Sequence, residues 1–182
     1  MAQTEIDKFS TSERLNKQDL DVISVTLTTD AETIGDNKLF SLAIEIPFAT
    51  SENGGSGLIK SITILDQTTT APAMDIVFSS VNTSLAQDEG KSIGEDVADL
   101  DAALVNMLGV VKIAAGDYTN LTDSSLASKT GIDLGIQSAS GSTSIFATAI
   151  NRSGGNFVAS STSVLRMKVT IQRTNPLSTD EQ

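Results

Sequence analysis

The sequence predicts a mainly β protein: an antiparallel, jelly-roll-like β-sandwich with one short amphipathic helix and an extended N-terminal arm. Three observations lead there. Apolar and polar residues alternate with period two through stretch after stretch, which puts one side of each strand in a core and the other in water. Clusters of Ser, Thr and Gly separate those stretches as turns do. Helical spacing occurs in a single segment, so a doubly wound α/β fold, with a helix after most strands, does not fit. The 182 residues suffice for one domain with arms.

Taken in order, residues 1–20 ("MAQTEIDKFSTSERLNKQDL") are polar and mixed in charge, with Ile6 and Phe9 among few apolar positions. They read as an arm that a neighbour could order. The domain then runs over residues 21–174. "DVISVTLTT" (21–29) alternates Ile23, Val25 and Leu27 against Ser24, Thr26 and Thr28. "KLFSLAIEI" (38–46) sets Phe40, Leu42, Ile44 and Ile46 against Ser41, Ala43 and Glu45. "GLIKSITILD" (57–66) and "MDIVFSS" (74–80) read as a hairpin: Leu58, Ile62 and Ile64 share one side of the first strand, and Met74, Ile76 and Phe78 share one side of the second. Asp66 is placed to organise the turn by accepting from nearby backbone amides. Gly54, Gly55 and Gly57 read as positions of positive φ.

In "SIGEDVADLDAALVNMLG", Val97, Leu100, Leu104, Met107 and Leu108 recur at helical spacing, Ser92 and Glu95 resemble a capping box, and Gly109 is a stop. A helix is expected near residues 95–108. Further strands follow at "VVKIAA" (110–115), "IDLGIQS" (132–138) and "SIFATAIN" (144–151). "SVLRMKVTIQRT" (163–174) is the cleanest, with Leu165, Met167, Val169 and Ile171 against Arg166, Lys168, Thr170 and Gln172. Pro176 closes it, leaving a tail over 175–182.

The chemistry expected of an enzyme is missing from the alphabet. There is no His and no Cys, which removes the commonest general base, thiolate nucleophiles and the commonest transition-metal ligands. The carboxylate pairs Asp96 with Asp99, Asp99 with Asp101 and Asp88 with Glu89 read as a solvated acidic face. "QDEGKSIGED" lacks the spacing of an EF-hand loop. "GGSG" and "SGG" do not continue into a dinucleotide fingerprint or a P-loop. No cofactor and no metal are expected, and the chain reads as no enzyme. A net charge of -11 repels phosphate backbones and anionic lipid, so neither nucleic acid nor membrane is an expected partner. No secretory signal or membrane-spanning run is visible, so synthesis in the cytoplasm is expected. One Tyr, no Trp and six Phe, mostly at core positions, leave little for a sugar- or base-stacking platform. Arg166 and Lys168 form a small basic strip on the last strand, able to meet an acidic patch on a neighbouring copy or to discourage edge pairing.

The order "TIGDNKLF", then "GGSGLIKSITILDQTTTAPAMDIVFSS", then "DVADLDAALVNMLGVVKI", and finally "SIFATAINRSGGNFVASSTSVLRMKVTIQ" resembles a family of small β-rich virion proteins of tailed bacteriophages. The likeness covers residues 33–172. The chain departs from it at Ser79-Ser80, where an apolar residue and an Asp would be expected. The resemblance implies an auxiliary head protein that decorates or cements the capsid exterior, binds the major capsid protein across its subunits, and associates with itself, a trimer being favoured. Ile6, Phe9, Arg166 and Lys168 are then the partner-binding candidates. Alternatives are another virion part (tail, neck or head fibre) or a carbohydrate- or host-surface-binding sandwich.

Overall fold

The computed structural model describes residues 19–27, 33–98, 100–159, 161 and 164–174. The arm before Asp19, with Ile6 and Phe9, and the tail after Thr174 lie outside them. Two antiparallel sheets face each other. One has the strand order β1 (Asp19–Leu27), β11 (Leu165–Arg173), β4 (Ser56–Asp66), β8 (Ser125–Gln137), β7 (Tyr118–Asn120); the other runs β3 (Ile44–Ile46), β9 (Ile145–Asn151), β5 (Met74–Ser79), β6 (Met107–Ile113). A small ribbon pairs β2 (Thr33–Ile34) with β10 (Phe157–Val158).

With β2, β7 and β10 set aside, the chain enters the sheets so that the first, last, third and sixth strands are neighbours in one. The second, seventh, fourth and fifth are neighbours in the other. That order is the double Greek key of a jelly roll, as the sequence led one to expect.

The alternation places the core where expected. Leu165, Met167, Val169 and Ile171 of β11 are fully buried and meet Met74, Ile76 and Phe78 of β5 in one cluster between the sheets. Each such side chain adds roughly 1.5–3 kcal/mol by leaving water. Phe40 and Phe157 close one end edge to face, their ring centres 5.1 Å apart.

Several local expectations give way. The stretches 57–66 and 74–80 do not form a hairpin: β4 lies in the first sheet and β5 in the second, so the intervening loop crosses the sandwich. A bulge at Lys60 changes the parity of β4. Ile59, not Leu58, shares the buried face with Ile62 and Ile64. The expected strand over 38–46 survives only as β3. Phe40 and Ser41 both donate backbone N–H to the Ala149 carbonyl, and the buried Ser41 hydroxyl accepts from the Ala149 N–H, which takes that segment out of the ladder.

The helix shrinks to α1 (Leu100–Leu104). Met107 and Leu108 belong to β6, because pairing with β5 satisfies their backbone along a whole strand. Of the glycines, Gly54 has positive φ, whereas Gly55 and Gly57 are needed for close approach. A Cβ on Gly55 would lie 2.8 Å from the Glu52 carbonyl oxygen, and one on Gly57 2.9 Å from that of Gln172.

Candidate interaction surface

The two sheets treat their outer faces differently. Over the second sheet lies the segment joining β5 to β6, residues 80–106. Its Leu85 and Ala86 pack with Leu39, Val77 and Ile150 into a second, smaller core, with Leu100 and Met107 against it. Val77 and Ile150 alternate with the Ile76 and Ala149 of the main core, so this layer covers the side of the sheet turned away from β4 and β11.

The cover is acidic, with six carboxylates against Lys91. Its fold is set by Glu95. That carboxylate accepts the Ser92 N–H at 2.9 Å, and Lys91 and Lys38 approach at 3.1 and 3.4 Å. The reciprocal bond from the Glu95 N–H to the Ser92 carbonyl is 3.0 Å. The backbone bond, then the Lys91 hydrogen bond, pulls Glu95 down to about 2. The Ser92–Glu95 reading is thus correct about the bond from the Ser92 N–H to the Glu95 carboxylate and misplaced about the rest. The Ser92 hydroxyl accepts from Lys38 and not from the Glu95 N–H, the pair closes a turn, and Asp96 at φ 60 ends it before the helix begins. Asp88, Asp96 and Asp101 are exposed. Asp99, a member of two proposed carboxylate pairs, is outside the described residues.

No element covers the outer face of the first sheet among the described residues. Arg166 and Lys168 stand on it, both exposed, on β11 between β1 and β4. The residues across from Lys168 are Ser24 and Thr63; those across from Arg166 are Thr26 and Leu65. None of them is acidic, and neither cation forms an ion pair with a described residue. With Leu126 and Ser128 these residues line a shallow depression of about 560 Å³. Leu20 and Val22 of β1 add exposed apolar surface, 62% and 61% accessible. Of the predicted partner-binding residues, then, Arg166 and Lys168 sit together on one bare face.

Two buried polar groups fix the loops at the end of the sandwich where β4 stops. Asp66 accepts Thr68 N–H at 2.8 Å, Thr68 hydroxyl at 2.7 Å, Ala71 N–H at 2.8 Å and Ser125 hydroxyl at 3.2 Å. That is the turn-organising role its position predicted. Beside it Tyr118 donates to the Pro72 carbonyl at 3.0 Å, and burial, then the nearby Asp66, pushes its phenol up. Asn151 donates to the carbonyls of Ile34, Gly35 and Gly155 and accepts the Ser153 N–H. These groups are structural clamps with saturated partners.

A second depression of about 480 Å³ holds Asp75, Lys112, Lys129 and Arg152. Arg152 bonds Asp75 at 2.8 Å and Lys129 bonds Asp117 at 3.2 Å, so two of its cations are already engaged. Among the described residues no group of three or more acidic side chains gathers to hold a metal ion. Sequence reading missed the exposed Leu20, which it placed in the arm, and Val22, which alternates with Ile23 and Val25 and so falls on the wet side of β1 with Ser24 and Thr26. It also missed Phe48, 68% accessible at φ 54 in the turn after β3.

No family model matches the chain, and no curated protein matches it. Among solved structures it is similar to a chain in the X-ray structure of tomato aspermy virus, with 9% identity, 96% of this chain and 97% of that chain covered, and a TM-score of 0.31. It is also similar to a chain in the structure of infectious bursal disease virus Gx strain, with 11% identity and a TM-score of 0.17. That match covers 87% of this chain and 38% of the other. Both are structures of viruses. Likeness at this level does not carry the functional reading, which rests on the strand order and the side chains.

Proposed function

We propose that the chain is a non-enzymatic structural component of a virus particle. In this reading it decorates or cements the capsid of a bacteriophage by seating on contacts between major capsid subunits. The observation that supports this most is a complete jelly roll whose surface offers apolar and charged area in place of reactive groups. Jelly rolls serve viral shells, lectins and cupins, so the fold alone does not choose among them. The side chains do the choosing. A chain without His lacks the imidazole that a cupin-type metal site would draw on. A single Tyr, donating to a backbone carbonyl, gives a sugar-binding face little to stack on.

A rigid sandwich fits the task physically. Many copies, each held weakly, bind firmly when a symmetric shell repeats the contact. Residues before β1 are proposed to add contact on docking, with Ile6 and Phe9 as apolar anchors; ordering them costs roughly 1–2 kcal/mol per residue, so those anchors must become buried. The acidic surface suits the outside of a shell, away from packaged nucleic acid.

The test is quantitation of the chain in purified particles by mass spectrometry. A fixed copy number that is a multiple of the particle's symmetry supports the reading, and particles lacking the chain refute it. Removal of residues 1–18 is expected to leave the sandwich folded and lower its occupancy on particles.

A further inference from the structure

The outer faces of the sandwich carry opposite charge. Among the described residues one sheet is bare, with Arg166 and Lys168 on its second strand, β11, and no acidic residue across from either. The other is covered by a segment holding six carboxylates and one lysine. Both faces also show apolar surface: Leu20 and Val22 beside the cations, and Leu104 and Val105 (47% and 83% accessible) on the acidic cover.

We infer that copies of this chain bind one another head to tail, the bare face of the β1-β11-β4-β8 sheet docking onto the acidic cover of the next copy. The alternatives within a pair of copies are unfavourable. Two bare faces set against each other bring Arg166 and Lys168 toward their own duplicates, and two covers bring like carboxylates together. Either arrangement places like charges in a desolvating contact. Opposite faces meeting heterologously satisfy both patches at once, and such contacts propagate or close into rings.

Size sets the strength. Four strands spaced at about 4.8 Å, over about 30 Å of strand, offer roughly 500–600 Å². That falls below the ~800 Å² per partner of a standard stable interface. A single contact is therefore weak, and an array of them is strong. This inference stands apart from the particle role: the purified chain alone tests it, whereas copy number in particles tests the other.

The experiment is sedimentation of the full chain over a concentration series extending into the millimolar range, at about 50 mM and about 500 mM salt. Self-association is expected at low salt, weakened about tenfold or more at high salt. Two charge-reversed proteins identify the faces. Arg166→Glu with Lys168→Glu makes both faces acidic, and Asp88→Lys with Asp101→Lys takes the cover from six carboxylates and one lysine to four and three, which removes most of its negative charge. All four side chains are exposed, and unchanged thermal melting checks that each protein is folded. Each variant alone is expected to sediment as a monomer, and their equimolar mixture to associate again. A wild-type monomer throughout the series overturns the inference. So does association that neither reversal disturbs, or self-association of the Asp88→Lys/Asp101→Lys protein as strong as that of wild type, which would mean that bare faces pair with each other.

Discussion

Replacing Asp66 with Ala removes the acceptor for four donors at once: two backbone N–H groups and two hydroxyls. A hydrogen bond to a charged group nets about 1.5–3 kcal/mol, so a simple sum would approach 10 kcal/mol. Two effects reduce it. Thr68 and Ala71 are only partly buried, so water can reach their amides once the loop relaxes. The fully buried carboxylate also no longer needs to be stripped of its own hydration. What remains is the loss of the loop's closure and of the buried Ser125 bond, and we expect a destabilisation of about 3 kcal/mol. For a domain of this size that lowers the melting midpoint by roughly 6–12 °C. Asp66→Asn keeps an acceptor for Thr68 but turns an amide toward the Ala71 N–H and Ser125, and should cost about 2 kcal/mol. Urea unfolding measures both, and hydrogen exchange at the Thr68 and Ala71 amides reports the loop directly. A change below about 0.5 kcal/mol, the level of an ordinary surface substitution, would refute the view of Asp66 as the clamp of this loop.

Gly57→Ala drives a methyl toward the Gln172 carbonyl of the neighbouring strand, where backbone must move; a loss of about 1–3 kcal/mol in urea unfolding is expected, and none if the strands separate freely. Asn151→Asp turns a carboxylate toward three backbone carbonyls and should cost about 3 kcal/mol or more, against a near-neutral result if the loops hold themselves. Glu95 sits below its ordinary 4.5, so its support of the 92–96 turn is complete above that value and fades as pH falls toward about 2. The Ser92 amide shift should titrate in the lower part of that range; a midpoint near 4.5 would mean that the bond does not form in solution.

How much of this was legible follows from the range of the forces involved. β11 shows itself through alternation because one buried face imposes it locally, whereas β5 and β9, buried on both faces, read as short apolar runs between turn residues. The bulge at Lys60 was hidden, since it depends on β8, where three residues from Gly131 to Asp133, two of them at positive φ, oppose the single Lys60. Met107 and Leu108 fit both a helical and a strand period, and only the partner strand β5 decides between them. β2, β7 and β10, two or three residues long, are too short to show any period. For the interaction surface, alternation was enough to put Arg166 and Lys168 on a wet face. That β1 and β4 would set Ser, Thr and Leu beside them needed the strand order. The acidity of residues 80–106 was plain in the composition, but its place over the second sheet depends on contacts with Leu39 and Ile150, distant in the chain.

The most direct test of the account is a density map of the intact particle at side-chain detail. The account predicts jelly-roll sandwiches at symmetry-related positions on the outer shell, fitted against their neighbours through sheet faces and with no bound substrate between them. Particles whose every ordered density is explained by other chains would contradict it.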